Sequence, residues 1–229
     1  MIRRRSLLGI SSAEYVKDGL TLWYDGIQNT RQGHNPNAIT WEDLSGNNID
    51  GEFVGDVTYE DNLYKVNTTI SNISYIKVDN QQILFSTFND FSLQILFKTS
   101  QRANIAGTIE GDTRIDIWCN SQTEFNARLL GTRFPSSGSY IVDLSNLILF
   151  TATYNSKNQQ LKYYLDNLEV YQGTASVTGS RFGLTIGDRT GADPKNALSE
   201  YSAVRYYSKQ LSSDEINSNY QTDKKRYQF

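Results

Sequence analysis

The chain has one cysteine, one histidine, one methionine and three prolines in 229 residues. A single cysteine, Cys119, excludes an internal disulfide and every cysteine-based zinc site. The lone His34 excludes metal sites built from several imidazoles. A Ser–His–Asp triad would have to use His34, and no nucleophile-elbow motif accompanies it. Long apolar runs are also missing. No segment approaches the ~18–20 residues of a membrane span, so no membrane insertion is expected. After Arg3-Arg4-Arg5 the apolar stretch is only Leu7, Leu8, Gly9 and Ile10, short of the ~7–15 residues of a signal-peptide core. No signal peptide is expected. Charge of one sign is scarce as well. The formal net charge is -3, from 22 basic and 25 acidic residues, which gives no broad field for gripping nucleic acid.

What is present is strand after strand. Residues 1–17 read as an arm, charged at first and then small and polar. From Asp18 onward apolar residues alternate with polar ones at the period of two that sends neighbours to opposite faces. Phe91, Leu93, Ile95 and Phe97 share one face. Ile115, Ile117 and Cys119 point inward, leaving Arg114, Asp116 and Trp118 outward. Leu147–Tyr154 is apolar on both faces, as a central strand covered on two sides requires. Leu161, Tyr163 and Leu165 alternate with Lys162, Tyr164 and Asp166, and Asp166-Asn167 supplies a hairpin turn before Leu168 and Val170.

One helix is expected, over 212–226. Ser212 and Glu215 form a capping box, Asp214 adds negative charge to the first turn, and Lys224-Lys225-Arg226 complement the C-terminal dipole. Many strands with turn signals and one terminal helix predict an all-β, two-sheet antiparallel jelly-roll sandwich spanning 18–229.

Four segments carry a family likeness. Asp18–Gly26 resembles the opening strand of laminin-G-like, concanavalin-A-like domains. Trp41-Glu42-Asp43-Leu44-Ser45-Gly46-Asn47-Asn48-Ile49-Asp50-Gly51 is similar to their W-x-D-x-SGN-x-x-DG turn. Leu161–Val170 resembles their L-x-L-Y-V-D-G-x-x-V hairpin, with Asn167 where glycine is usual. Ser199–Ile216 is similar to their closing strand and helix start. The resemblance implies a concanavalin-A-like sandwich, a fold that hosts lectins, glycosidases, adhesion modules and structural domains alike.

Sandwich glucanases of that superfamily carry E-[IL]-D-[IV]-x-E on one strand, which sets carboxylates about 5–5.5 Å apart for retaining hydrolysis. The nearest text here is Arg114-Ile115-Asp116-Ile117-Trp118. Only Asp116 survives, and Glu110 and Asp112 lack strand spacing, so the chain is not expected to be an enzyme. The same substitutions suit binding. A guanidinium offers a fork of donors, an indole offers a platform for the CH face of a sugar, and Asp116 accepts hydroxyl protons. A shallow glycan site of Arg114, Asp116, Trp118 and Tyr164 on the concave sheet is therefore expected, with Lys162 nearby. The competing reading is a surface ion pair on a purely structural domain.

No cofactor is expected. The superfamily can hold calcium, but the turns at Asp43–Asn47 and Asp188–Asp193 do not match an EF-hand loop, and Asp43 and Asn47 suit a tight backbone turn instead. Finally, the opening methionine and arginine triplet resembles the start of phage tail or head appendage proteins. That implies a virion or other extracellular location without a signal. It further implies host-surface glycans as partners, attachment to other virion proteins through the arm, and homo-oligomers.

Overall fold

A computed structural model describes residues 15–69, 71–108, 115–176, 178–187 and 197–229. Among them are two large antiparallel sheets and one C-terminal helix, the expected jelly-roll sandwich. The first sheet has eight strands, in the order Leu168–Thr174, Gln160–Leu165, Ile148–Asn155, Phe91–Thr99, Ala197–Tyr207, Leu63–Thr68 and Val57–Glu60; Leu20–Asp25 also pairs with Ala197–Tyr207. The second has nine, in the order Thr132–Phe134, Glu124–Leu129, Ile115–Ser121, Ala103–Gly107, Leu184–Gly187, Tyr75–Val78, Gly51–Val54 and Thr40–Trp41; Tyr140–Ile141 also pairs with Glu124–Leu129. A small ladder joins Leu84–Ser86 to Ser180–Phe182.

Alternation decides which residues meet between the sheets. Phe91, Leu93, Ile95 and Phe97 from the first sheet share one core with Ile115, Ile117, Cys119, Phe125 and Ala127 from the second. Trp41 lies in that core, stacked at 5.1 Å on Tyr24 and tilted at 4.6 Å against Tyr64. Its Nε1 donates to the Asp25 carbonyl at 3.1 Å, so its one polar atom is satisfied on burial.

The turn after Trp41 is held by one carboxylate. Asp43 accepts from the backbone N–H of Trp23 (3.0 Å), Ser45 (2.9 Å) and Ile49 (3.1 Å), and from Ser45 Oγ (2.8 Å). Asn47 Nδ2 donates to the Thr21 carbonyl at 2.9 Å. Gly46 supplies a positive φ of 98° where the chain reverses. Asp43 and Asn47 thus tie the turn to the first strand.

The other face of the first sheet is also covered. The helix, Ser213–Tyr227, starts at the capping box of Ser212 and Glu215 and lies against Leu96, Leu149 and Ala203 through Tyr220, Tyr227 and Phe229. It buries only Ile216, Asn219 and Asp223. A helix with one buried aliphatic cannot be held by apolar area alone. Arg205, fully buried on Ala197–Tyr207, donates to Asp223 through Nη1 at 3.0 Å and through Nη2, and its Nε donates to Gln94 at 3.1 Å. Asn219 Nδ2 donates to Gln94 Oε1 at 2.8 Å and to the Tyr207 hydroxyl at 2.9 Å. Phe91–Thr99 is therefore buried on both faces, polar Ser92 and Gln94 included.

Tyr15, Val16 and Lys17, the last residues of the expected arm, pack onto this same layer. Tyr15 is 2% exposed, lies under the Arg205 guanidinium at 4.3 Å, and donates its hydroxyl to Asp223 at 2.7 Å. The Val16 N–H donates to Asn219 Oδ1 at 3.0 Å. Packing onto the sandwich accordingly includes these residues before Asp18. Tyr15 is an aromatic whose burial the local charge pattern does not announce. Leu168, expected to start an apolar return strand, is 64% exposed because its strand is the edge of the first sheet.

Two outcomes follow from this packing. Removing one partner of a buried ion pair costs about 3–5 kcal/mol, whereas replacing both with apolar residues can be neutral. Asp223→Ala should lower the urea-unfolding free energy by that amount, and Arg205→Met with Asp223→Leu should restore most of it. Equal losses in the single and double variants would show that the pair does not hold the helix.

The second outcome concerns alkali. Unfolded tyrosines lose their protons near pH 10. Burial holds Tyr24 and Tyr163 well above that value and Tyr207 up at about 12. The folded chain keeps protons that the unfolded chain has released, so this stability is complete below pH 10 and is lost as the pH rises through about 12. Each such tyrosine contributes a slope of about 1.4 kcal/mol per pH unit. Urea midpoints should therefore fall steeply above pH 10, and a flat profile to pH 11.5 would contradict the burial of these phenols.

Candidate functional site

Of the four residues expected to form a glycan site, the structure brings two together. Asp116 and Trp118 are both half-buried on the outer face of Ile115–Ser121, while Ile115, Ile117 and Cys119 enter the core. Arg114 lies outside the described residues, as do Glu110, Asp112 and the Asp188–Asp193 turn.

Tyr164 belongs elsewhere, and this corrects the expected set. Its strand, Gln160–Leu165, is in the first sheet, whereas Trp118 is in the second. Alternation does send Tyr164 out of the main core, but toward the helix, where it is 3% exposed beside Tyr207, Leu211 and Ile216. Its hydroxyl donates to Glu169 at 3.1 Å. Burial, foremost, raises its pKa. Period-two patterning tells inside from outside along one strand but cannot say in which sheet that strand lies.

Tyr164 and Lys162 line a separate groove of about 440 Å³ with Lys209, Ser212 and Glu215. Its cations already have carboxylate partners. Lys162 pairs with Glu169 at 2.8 Å, and Lys209 pairs with Asp18 at 2.6 Å and Glu215 at 2.8 Å. No unmet charge in this groove asks for a ligand.

The Trp118 face is different. Ladder register sets Trp118 opposite Asn126 and Asp116 opposite Arg128 on Glu124–Leu129, and Arg128 opposite Arg133 on Thr132–Phe134. Two guanidinium groups therefore flank one indole, Arg133 at 5.4 Å from the ring centroid and Arg128 at 5.9 Å. At such distances the ring quadrupole attracts each cation. Among the described residues no carboxylate lies within ion-pair distance of either arginine.

One side of the site is bounded by the segment after the cis Phe134–Pro135 bond. Ser139 Oγ accepts from Asn120 at 3.0 Å and from Asn126 at 3.1 Å, and Arg133 Nη2 donates to the Gly138 carbonyl at 3.3 Å. On the neighbouring strands, Asn126 Oδ1 and Arg133 Nε are buried without a hydrogen-bond partner. Chemically this is a strip of donors beside an apolar plate.

Asn126, Arg128 and Arg133 were not anticipated from the sequence. A signal for the first two exists: Phe125-Asn126-Ala127-Arg128-Leu129 alternates, so Asn126 and Arg128 share an outward face. Their placement beside Trp118 depends on strand pairing, and Arg133 carries no local signal because its strand has three residues.

Two other residues with reactive chemistry are accounted for by packing. Burial raises the Cys119 thiol far above its ordinary value, which keeps it protonated and unreactive. His34 is exposed and rests against Tyr59, its Nδ1 3.2 Å from the phenol oxygen. Among the described residues no cluster of His, Cys, Asp and Glu is arranged to hold a metal, and no helix is long and apolar enough to cross a membrane.

No family model matches the sequence, and no curated protein matches it. Solved structures do match the fold. The binding domain of botulinum neurotoxin DC in complex with rat synaptotagmin II superposes with a TM-score of 0.67 at 14% identity, over 90% of this chain and 52% of that one. A botulinum neurotoxin type C structure, described as showing that cell entry depends on interaction with two ganglioside molecules, gives 0.67 at 16% identity over 90% and 52%. Trypanosoma rangeli sialidase gives 0.67 at 17% identity over 91% and 33%. The chain thus spans about half the length of the toxin chains and a third of the sialidase. At these identities the likeness establishes one thing: the chain is a β-sandwich of the kind found within toxin binding domains and within a sialidase.

Proposed function

We propose that the chain is a non-catalytic, lectin-like module that binds glycans through the outer face of its second sheet. The observation that carries this reading is the half-buried Trp118 with Arg128 and Arg133 beside it and, among the described residues, no carboxylate paired to either. An indole gives a sugar ring an apolar plate, and the guanidinium forks supply fixed donors to its oxygens. Asp116, on the same face, supplies an acceptor. Two of the similar structures add support, one from a toxin whose entry depends on gangliosides and one a sialidase.

The absence of catalysis is part of the proposal. Retaining hydrolysis needs a second carboxylate about 5–5.5 Å from the first, and the strand position two residues after Asp116 is Trp118. Glycan turnover abolished by Asp116→Ala would overturn it.

The residues before Tyr15 are read, within the same proposal, as the attachment of a virion appendage to other virion proteins, with host-surface glycans as the ligand. The arginine triplet and the small polar residues that follow support that reading. A single shallow site binds with a Kd on the order of 1 mM, so adhesion requires many copies on one particle, whether as homo-oligomers or as separate attachments.

A glycan array probed with the multimerised chain tests the reading directly. Binding is expected, and Trp118→Ala should abolish it while the melting temperature stays within a degree or two, about the effect of a surface substitution. A blank array would favour the purely structural domain. Unfolding by Trp118→Ala would instead make the indole a packing residue.

A further inference from the structure

Building on the glycan-binding reading, we infer that the Trp118 face selects sugars that carry a carboxylate, the chemistry shared by sialic and uronic acids. The first argument is electrostatic. Arg128 and Arg133 stand directly opposite each other across an antiparallel pair, on the same face. Like charges in that relation destabilise a sheet unless something lies between them. Elsewhere arginines are neutralised: the buried Arg205 with Asp223, the part-buried Arg226 with Asp25, and the exposed Arg31 with Glu42 and Asp50. At Arg128 and Arg133 that neutralisation is missing among the described residues.

The second argument is geometric. The indole lies beside both guanidinium groups, at 5.4 and 5.9 Å from its centroid, before any ligand arrives. Held cations of this kind lose little freedom when they bind an anion. Arg133 spends one Nη2 proton on the Gly138 carbonyl at 3.3 Å. A carboxylate can take two parallel N–H bonds from one guanidinium edge, which a neutral hydroxyl cannot do with one oxygen.

The third argument places the ligand. A sugar fills the face with its carboxylate between Arg128 and Arg133 and its apolar side on Trp118.

The test uses the full chain and four probes in titration calorimetry: 3′-sialyllactose, its carboxyl methyl ester, a glucuronate-terminated tetrasaccharide and lactose. At least one acidic sugar should bind about tenfold or more tighter than lactose, as two charge-assisted bonds would give, and the two acidic probes separate sialic from uronic acid. Esterification should erase the preference without any change to the protein. Arg128→Gln and Arg133→Gln should each make acid and ester bind alike. Equal binding of ester and acid, or of lactose and both acids, would overturn the carboxylate inference while the glycan-binding reading stands. No binding by any probe, together with a blank neutral-glycan array, would overturn both.

Discussion

A buried ion pair fixes what can cover the first sheet. Arg205 and Asp223 are both fully inaccessible, and each would be untenable alone in that place. Arg205 points out of the sandwich because Val204 and Tyr206 on either side point in. Something must therefore bring it an anion and exclude water. The helix does so by presenting Asp223, and Asn219 one turn earlier meets Gln94 and Tyr207. Tyr15 closes the layer from the other direction and shares the same carboxylate. Next to it, burial pushes the Asp25 carboxyl up while Arg226 beside it pulls it down. The helix contributes little apolar area, so its position is specified by matching polar groups, which tolerate only one register.

That specification divides the labour between the two outer faces. On the first sheet, outward residues such as Ser92, Gln94 and Arg205 are consumed by the helix and its neighbours. On the second sheet, no helix among the described residues covers the outward side near Trp118. Among the described residues its arginines lean on an indole and on the 138–139 segment rather than on acids. The donors of that face are only partly used.

Much of this was legible in the sequence, and the reason is that the legible parts are local. The strand faces around Phe91 and Ile115 follow from alternation, the helix start from the Ser212–Glu215 box, and the internal bonds of the Asp43 turn from residues within seven positions of each other. What could not be read was pairing across the fold. Asp116 and Trp118 fell on one face as expected, but Tyr164 was assigned to their company and lies on the opposite sheet, since nothing in Lys162-Tyr163-Tyr164 encodes its sheet. Arg128 and Arg133 became neighbours of Trp118 only through ladder register. The burial of Tyr15 rests on a partner 208 positions away, a separation no short pattern spans.

Phe229 packs against the helix on the same layer that receives Tyr15. Tyr15 and Phe229 thus lie on one side of the sandwich, with the full thickness of two sheets between them and the indole. In engineering terms, a solid support or a reporter joined through this layer leaves the opposite surface facing the solution.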